Sequence, residues 1–418
     1  MNLNNNKKNQ NILIFGGGFE NKGAESMTLV SVHELMRLYP NNEIIVISNS
    51  DYPSEKVREE KFNFSIFPIN PNEMLYFGMD IFKMSYLLFN ILRYVIRRKG
   101  IFKFRNKNKF KSILKNTFFS IDISGYALSS QWDFFTNMAF INRIKIHRKS
   151  QIPYFIMPQS FGPFKYRKTE RIILQPLINR YIKYPKIVYC RENQGFNLLS
   201  KISASNLMKS LDLVLLSKEI DENALFKHEI DYPVIITPKN SVAIIPNSKN
   251  NKFSKENMNM VYINIIEKLV ELNKTVYLLS HSREDLKVCK EIFNNCKNHE
   301  KVIFIDKEFD NIELSFLIAK MNYIIGSRYH SIIHAYKLGI PAVVIGWAEK
   351  YRELTNAFNQ NDFLVDVRDN FFDSKLAEII NTMEKNYNNE SLKISSLLVN
   401  YQKFNPFISI EAKLNENT

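Results

Sequence analysis

At 418 residues and 45% hydrophobic content, the chain is long enough for two domains with cores of their own, which excludes a small stapled module. Its three cysteines, Cys190, Cys289 and Cys296, include no C-x-x-C pair, so neither a disulfide framework nor a zinc site is expected. The formal charge of +15 points to anionic partners: nucleic acid, an anionic membrane surface or phosphorylated substrates.

The polar segment Met1 to Gln10 lacks the apolar stretch of a signal peptide, so a cytoplasmic protein is expected. The first predicted strand, Asn11 to Phe15, runs into Gly16-Gly17-Gly18, and a helix follows over Ala24 to Leu38. Gly17 and its neighbours permit close backbone approach to a ligand, with Asn21 and Glu25 placed to hold sugar hydroxyls; a plain connecting turn accounts for the same residues. The run is not G-x-G-x-x-G, which argues against a dinucleotide.

A second strand covers Glu43 to Ser48. Met74 to Ile96 is apolar but interrupted by Asp80, Lys83, Asn90 and Arg93, which speaks against a transmembrane span. From Arg97 to Lys115 there are nine basic residues and no acid, so residues 74–116 form a basic amphipathic insert. It suits peripheral docking on an anionic leaflet, at the inner face of the membrane; a core helix followed by a solvated loop fits equally. The aromatics precede the basic tract, not interleave with it, so nucleic acid is not the expected partner.

Further strands are predicted at Phe118 to Ile123, Pro153 to Met157 and Lys186 to Cys190. Asp122, flanked by Ile121 and Ile123, is costly in an apolar strand unless paired or functional, and can accept a proton from a hydroxyl. Gln159, Ser160 and Gly162 make a turn stiffened by Pro158 and Pro163, from which polar side chains can reach a substrate. Arg191 follows the strand ending at Cys190 and reads by itself as a helix-start surface residue.

The second half repeats the rhythm, with strands at Val242 to Pro246, Thr275 to Ser280, Val302 to Ile305, Tyr323 to Ile325 and Ala342 to Ile345. Strand–helix alternation predicts parallel sheets covered by helices, an α/β fold of two Rossmann-like units. The polar stretch 219–240 is the expected linker between a domain over 1–218 and another over 241–418. His281 ends the strand from Thr275 and reads as a helix-capping surface residue.

The most informative stretch is Gly326-Ser327-Arg328-Tyr329-His330, which reads as strand end, turn and helix start. Ser327 is placed to cap that helix, and Arg328 adds a fork-shaped cation where helix N–H groups attract anions. His330 beside a bound anion suits proton transfer, whereas His334, one turn later, reads as packing.

The pattern Gly-Ser-Arg-x-His-x-x-x-x-Ala, followed by Gly339-Ile340-Pro341, resembles the C-terminal motif of the polysaccharide pyruvyl transferase family. Gln159-Ser160-Phe161-Gly162-Pro163-Phe164 is similar to that family's Gln-Ser-x-Gly-Pro-Phe turn, and Asn21-Lys22-Gly23-Ala24-Glu25 to its N-terminal Asn-x-Gly-(Asp/Ala)-Glu turn. The resemblance spans about residues 11 to 366. It implies a GT-B-like arrangement, two Rossmann-like domains facing a cleft, and a donor, phosphoenolpyruvate, whose pyruvyl group passes to a sugar of a cell-surface glycan precursor.

On that resemblance Arg191 and Arg328 bind the donor, although Glu192 stands where the family has Asp. Asp122 resembles the Asp before the family's second glycine turn, of which only Gly125 is present here. His330 is then the general acid and Asp122 the base. A sugar or lipid-linked glycan is the acceptor, and no metal or organic cofactor is called for. The competing readings are a GT-B glycosyltransferase using a nucleotide sugar and a non-catalytic glycan-binding protein.

Overall fold

The computed structural model describes residues 10–48, 61–69, 73–75, 77 and 106–416, except positions 20, 231, 233, 234, 236, 298, 308, 370 and 371. The first half contains β1 (Asn11–Phe15), α1 (Lys22–Leu38), β2 (Glu43–Ser48), β3 (Ser65–Pro68), α2 (Lys107–Lys115), β4 (Thr117–Asp122), β5 (Tyr126–Leu128) and α3 (Phe134–Lys149). It continues with β6 (Tyr154–Phe161), α4 (Lys168–Tyr181), β7 (Ile187–Cys190), α5 (Asn193–Ser200), β8 (Leu207–Lys209), α6 (Leu213–Leu216) and α7 (Glu222–Leu225). The described strands pair in parallel in the order β3-β2-β1-β4-β6-β7-β8, with β5 added beside β6.

The second half contains β9 (Ser241–Ile245), α8 (Met258–Glu271), β10 (Thr275–Leu278), α9 (Arg283–Asn295), β11 (Val302–Phe304), α10 (Asn311–Ile318) and β12 (Tyr323–Gly326). After these come α11 (Tyr329–Lys337), β13 (Ala342–Gly346), α12 (Glu349–Ala357), β14 (Leu364–Asp366), α13 (Phe372–Tyr401) and α14 (Pro406–Asn415). The second sheet runs β11-β10-β9-β12-β13-β14, also parallel, with its order reversing between β9 and β12. A crevice opens at such a reversal, outside the carboxyl ends of the strands.

Central strands such as Asn11–Phe15 are buried at every position, because helices cover both faces of a parallel sheet. Alternation then sorts their side chains. Ile12 and Ile14 join the core shared by the two sheets, whereas Leu13 and Phe15 join an outer core under α3 and α4. The shared core also takes Ile245, Ile324 and Ile333 from the second sheet and its helices.

The last helix departs from the expected limits of the second domain. After α13 the chain returns to the first: Phe407 and Ile410 enter the shared core, and Asn405 Nδ2 donates to Glu34 Oε2 at 2.9 Å. The start of the expected linker also packs on the first domain, where Phe226 bridges Phe62 and Asn63 Nδ2 donates to its carbonyl at 3.0 Å.

The described ends of the 74–116 insert lie in the core. Met74 and Leu75 are buried, and α2 buries Phe110 and Leu114, with Phe110 stacked on Phe67 at 6.0 Å. The part on which peripheral membrane contact rests, 78–105, lies outside the described residues. Among the described residues no helix is long and apolar enough to cross a membrane.

Candidate active site

The motif Gly326 to His330 sits at the reversal point of the second sheet. Ser327 does not cap the helix. α11 starts at Tyr329 with Arg328 in the N-cap position, so Ser327 lies one residue too early to reach the first free N–H groups. Its buried hydroxyl is instead 2.6 Å from the Tyr262 hydroxyl, and its carbonyl accepts from Asn247 Nδ2 at 3.1 Å and the Tyr351 hydroxyl at 3.0 Å. Ser327 thus fixes the loop that aims Arg328 and His330.

The Arg328 guanidinium donates to both oxygens of Asp285, from Nε at 2.8 Å and a terminal nitrogen at 2.6 Å, and to Ser282 Oγ at 3.0 Å. It is held rigidly, and its charge is already matched. His330 stands between the two domains. Its ring packs on Gly23 of α1, where any Cβ would overlap it, and its Nε2 lies 3.8 Å from Asp212 Oδ2, with no hydrogen-bond partner among the described residues. Burial, then the nearby Arg191, Lys350 and His334, push its pKa well below the ordinary imidazole value, so the resting ring is neutral.

Arg191 comes from the first domain, directly after β7. Its side chain is buried and bonds Asp212, the Gly125 carbonyl at 2.8 Å and Ser160 Oγ at 2.9 Å. Its guanidinium carbon lies 5.3 Å from the centroid of the Tyr329 ring, and Lys350 Nζ lies 4.9 Å from the same centroid. Ser160 donates to Glu192 at 2.6 Å, which ties the Gln159–Ser160 turn into this group. Gln159 is fully buried, and among the described residues neither polar atom of its side-chain amide has a hydrogen-bond partner.

Asp122 belongs elsewhere. Ile121 and Ile123 face the shared core, so the strand turns Asp122 to the opposite face. There it accepts from the Tyr154 hydroxyl at 2.7 Å and from Ser124 N at 3.0 Å, with Arg143 Nε at 3.2 Å. It is a buried structural carboxylate, not the base expected beside His330.

The N-terminal turn is likewise structural in its details. Asn21 Oδ1 accepts from Gly23 N at 2.9 Å and caps α1. Gly17 packs on Thr28, whose Oγ1 would lie 2.8 Å from an added Cβ. Glu25 does not face an open cleft: it is buried against α10, where Asn311 N donates to it at 3.3 Å. Burial, reinforced by Asp310 and opposed by Lys22 and Lys61, pushes its pKa up to about 7.

Four residues were not read as site residues from the sequence. Asp212 is the shared partner of Arg191 and His330, and the signal that singled out Asp122 was there too: a lone acid within Leu211-Asp212-Leu213-Val214. Gly23 makes room for His330. Lys350 carries no motif. His281, expected at the surface, is buried, with Nε2 unpartnered among the described residues; burial first, then His334, His330, Arg328 and Lys22, hold its pKa well below the ordinary value. His334 does serve packing, as a bridge between domains: Nε2 is 2.9 Å from Ser26 Oγ on α1 and Nδ1 is 2.7 Å from Ser315 Oγ on α10.

Comparison with known proteins adds three findings. The family model described as Polysaccharide pyruvyl transferase matches residues 21–349. The amylovoran biosynthesis protein AmsJ of Erwinia amylovora is 22% identical over 249 residues, 56% of this chain, and the chain spans 59% of the length of that curated relative. Among solved structures, the spinosyn rhamnosyltransferase SpnG superposes with a TM-score of 0.55 at 11% identity, covering 98% of this chain and 100% of its own. The UDP-GlcNAc 2-epimerase from Methanocaldococcus jannaschii superposes at 0.52 and 13% identity, covering 89% of this chain and 92% of its own. These likenesses show the fold: two Rossmann-like domains facing each other in the GT-B arrangement.

Proposed function

Because the chain belongs to the polysaccharide pyruvyl transferase family, we propose that it moves a pyruvyl group from phosphoenolpyruvate to two hydroxyls of a glycan-precursor sugar. The carrying observation is the position of His330. An imidazole whose Nε2 has no hydrogen-bond partner among the described residues lies 3.8 Å from a buried carboxylate that also holds Arg191.

In the resting site His330 is neutral. A bound donor brings a phosphate and a carboxylate, whose field raises the imidazole pKa and lets Nε2 take up a proton, with Asp212 stabilising the cation. That proton passes to the methylene carbon of the donor, and positive charge develops at the central carbon. The first acceptor hydroxyl adds there and returns its proton to Nε2. Phosphate then leaves, the second hydroxyl closes the cyclic ketal, and its proton departs with the phosphate. The donor carries its own leaving group, so this chemistry calls for no metal or organic cofactor. A lipid-linked acceptor would bring the enzyme to the inner face of the membrane; the described ends of the 74–116 insert are core, so a contact there would rest on the remainder of that segment.

The test is calorimetric titration of phosphoenolpyruvate, with UDP as control, together with phosphate release in the presence of glycan acceptors. Saturable donor binding is expected in wild type and in His330→Gln, with phosphate release lost in the variant. Binding of UDP without any response to phosphoenolpyruvate overturns the reading in favour of nucleotide-sugar glycosyl transfer.

A further inference from the structure

The rim of the first domain carries an exposed indole on a rigidly held loop. The chain has two tryptophans, and both lie in loops at the carboxyl ends of strands, Trp132 after β5 and Trp347 after β13. Trp347 is stacked on Phe253 at 4.6 Å within the second domain. Trp132 is 43% exposed, and among the described residues its one ring contact is with Tyr126, the centroids 5.5 Å apart.

A single exposed aromatic is ordinary, but the support beneath this one is not. Asn137 of α3, fully buried, accepts from Ser129 N at 3.0 Å. Its amide nitrogen donates to the carbonyls of Ser129 at 2.9 Å, Asp133 at 3.0 Å and Trp132 at 3.4 Å. The Tyr166 hydroxyl donates to the amide oxygen at 2.9 Å. A buried amide satisfied at both ends fixes the loop over 129–133, so the indole loses little further freedom when a ligand meets it. The side chains beside the ring are neutral and polar: Ser129, Ser130 and Gln131, the last with Oε1 3.0 Å from the Tyr126 hydroxyl.

This platform borders the Arg191 group. Tyr126 follows Gly125, whose carbonyl accepts from Arg191 at 2.8 Å. In the β5–β6 ladder Tyr126 pairs with Ser160, whose Oγ accepts from Arg191 at 2.9 Å. Trp132 therefore stands one ring outward from that arginine's contacts.

We propose that Trp132 receives a neutral sugar ring of the acceptor, the unit next to the one that is pyruvylated, so that the site selects an oligosaccharide over a single sugar. A pyranose offers an apolar C–H face to an indole, and its hydroxyls meet amides and hydroxyls at the ring's edge. An anion would find no cation among residues 129–133, and a bilayer needs a wider apolar surface than one indole. The inference rests on the pyruvyl-transfer reading for the sugar's role as acceptor. A subsite away from the reacting carbon holds ground state and transition state alike, so its loss raises KM and spares kcat.

The experiment starts from Trp347→Phe, which leaves Trp132 as the sole indole. It is titrated with cellotetraose, chitotetraose, mannotetraose and galactotetraose, and with the corresponding monosaccharides. At least one tetrasaccharide is expected to move the emission saturably to shorter wavelength and to bind about tenfold more tightly than its monosaccharide. In calorimetry that tetrasaccharide should bind Trp132→Ala about tenfold more weakly than wild type, with recovery in Trp132→Phe. With phosphoenolpyruvate as donor, Trp132→Ala should raise its KM about tenfold and leave kcat within about twofold. Emission unmoved by every tetrasaccharide overturns the inference. So does a tetrasaccharide bound and turned over equally by wild type and Trp132→Ala, an outcome that leaves the pyruvyl-transfer reading standing. Trp132-dependent binding without phosphate release from phosphoenolpyruvate keeps the glycan subsite and removes the transfer reading.

Discussion

Gly23→Ala is the sharpest probe of the site, because it adds one carbon where two domains meet. The new Cβ would overlap Nδ1, Cγ and Cε1 of the His330 ring, well inside the 3.0 Å that real Cβ atoms respect. The obstacle is a ring packed on Tyr329 and buried by its neighbours, not the free end of a flexible chain. To regain ordinary contact at 3.4 Å the ring must retreat by about 1 Å, a displacement that costs roughly 10²-fold in rate when it falls on a reacting group. Alanine is the better helix former by about 1 kcal/mol, which offsets part of the roughly 1–3 kcal/mol that overpacking costs, so the net loss of stability should stay within about 2 kcal/mol. Phosphate release from phosphoenolpyruvate, denaturant unfolding and the histidine ring resonances in NMR read the three quantities separately. The expected result is a modest loss of stability, a shifted His330 resonance and turnover reduced about 100-fold. Full turnover with an unmoved resonance would refute the packing of His330 on α1.

Two further substitutions separate structural from chemical roles. Glu25 has its pKa raised from 4.5 to about 7, so between these values the folded state holds the extra proton, and the stability it contributes is lost as pH rises through 7. Glu25→Gln should therefore be the more stable protein at pH 8, by a margin of order 3 kcal/mol, and the margin should close towards pH 5; urea unfolding at both values checks it, and parallel pH profiles would sink it. Asp122→Asn leaves the buried Arg143 without its counter-charge and should cost about 3 kcal/mol of stability with donor affinity unchanged. Unimpaired unfolding together with lost phosphate release would instead return Asp122 to the chemistry.

The central strands were legible because parallel strands buried on both faces read as unbroken apolar runs; Asn11–Phe15 and Glu43–Ser48 match their predicted limits. The short outer strands β3, β8 and β14 were not read, since an edge strand of three or four residues such as Leu207–Lys209 carries too little apolar pattern. At the site, Arg328 and His330 were singled out by their position at a strand end, and Arg191 only by the family resemblance. Asp122 and Asp212 show the limit of that logic. Both are lone acids among apolar neighbours, and which of them meets His330 depends on the face each presents once the domains dock. A hydrophobic pattern marks a residue as buried; it does not say which of two cores receives it. Lys350 was silent for a related reason, as its surroundings come from segments far apart in sequence.

The return of the chain after α13 has a mechanical consequence. Among the described residues the polypeptide passes from the first sheet to the second after Phe226 and returns near Gln402, whose side chain donates to the Leu215 and Ser217 carbonyls at 3.2 and 3.0 Å. The returning chain is thus latched to the first domain at the end of α6. α6 also packs on α1 and on α11, the helix that carries His330, so the latch lies beside the histidine itself.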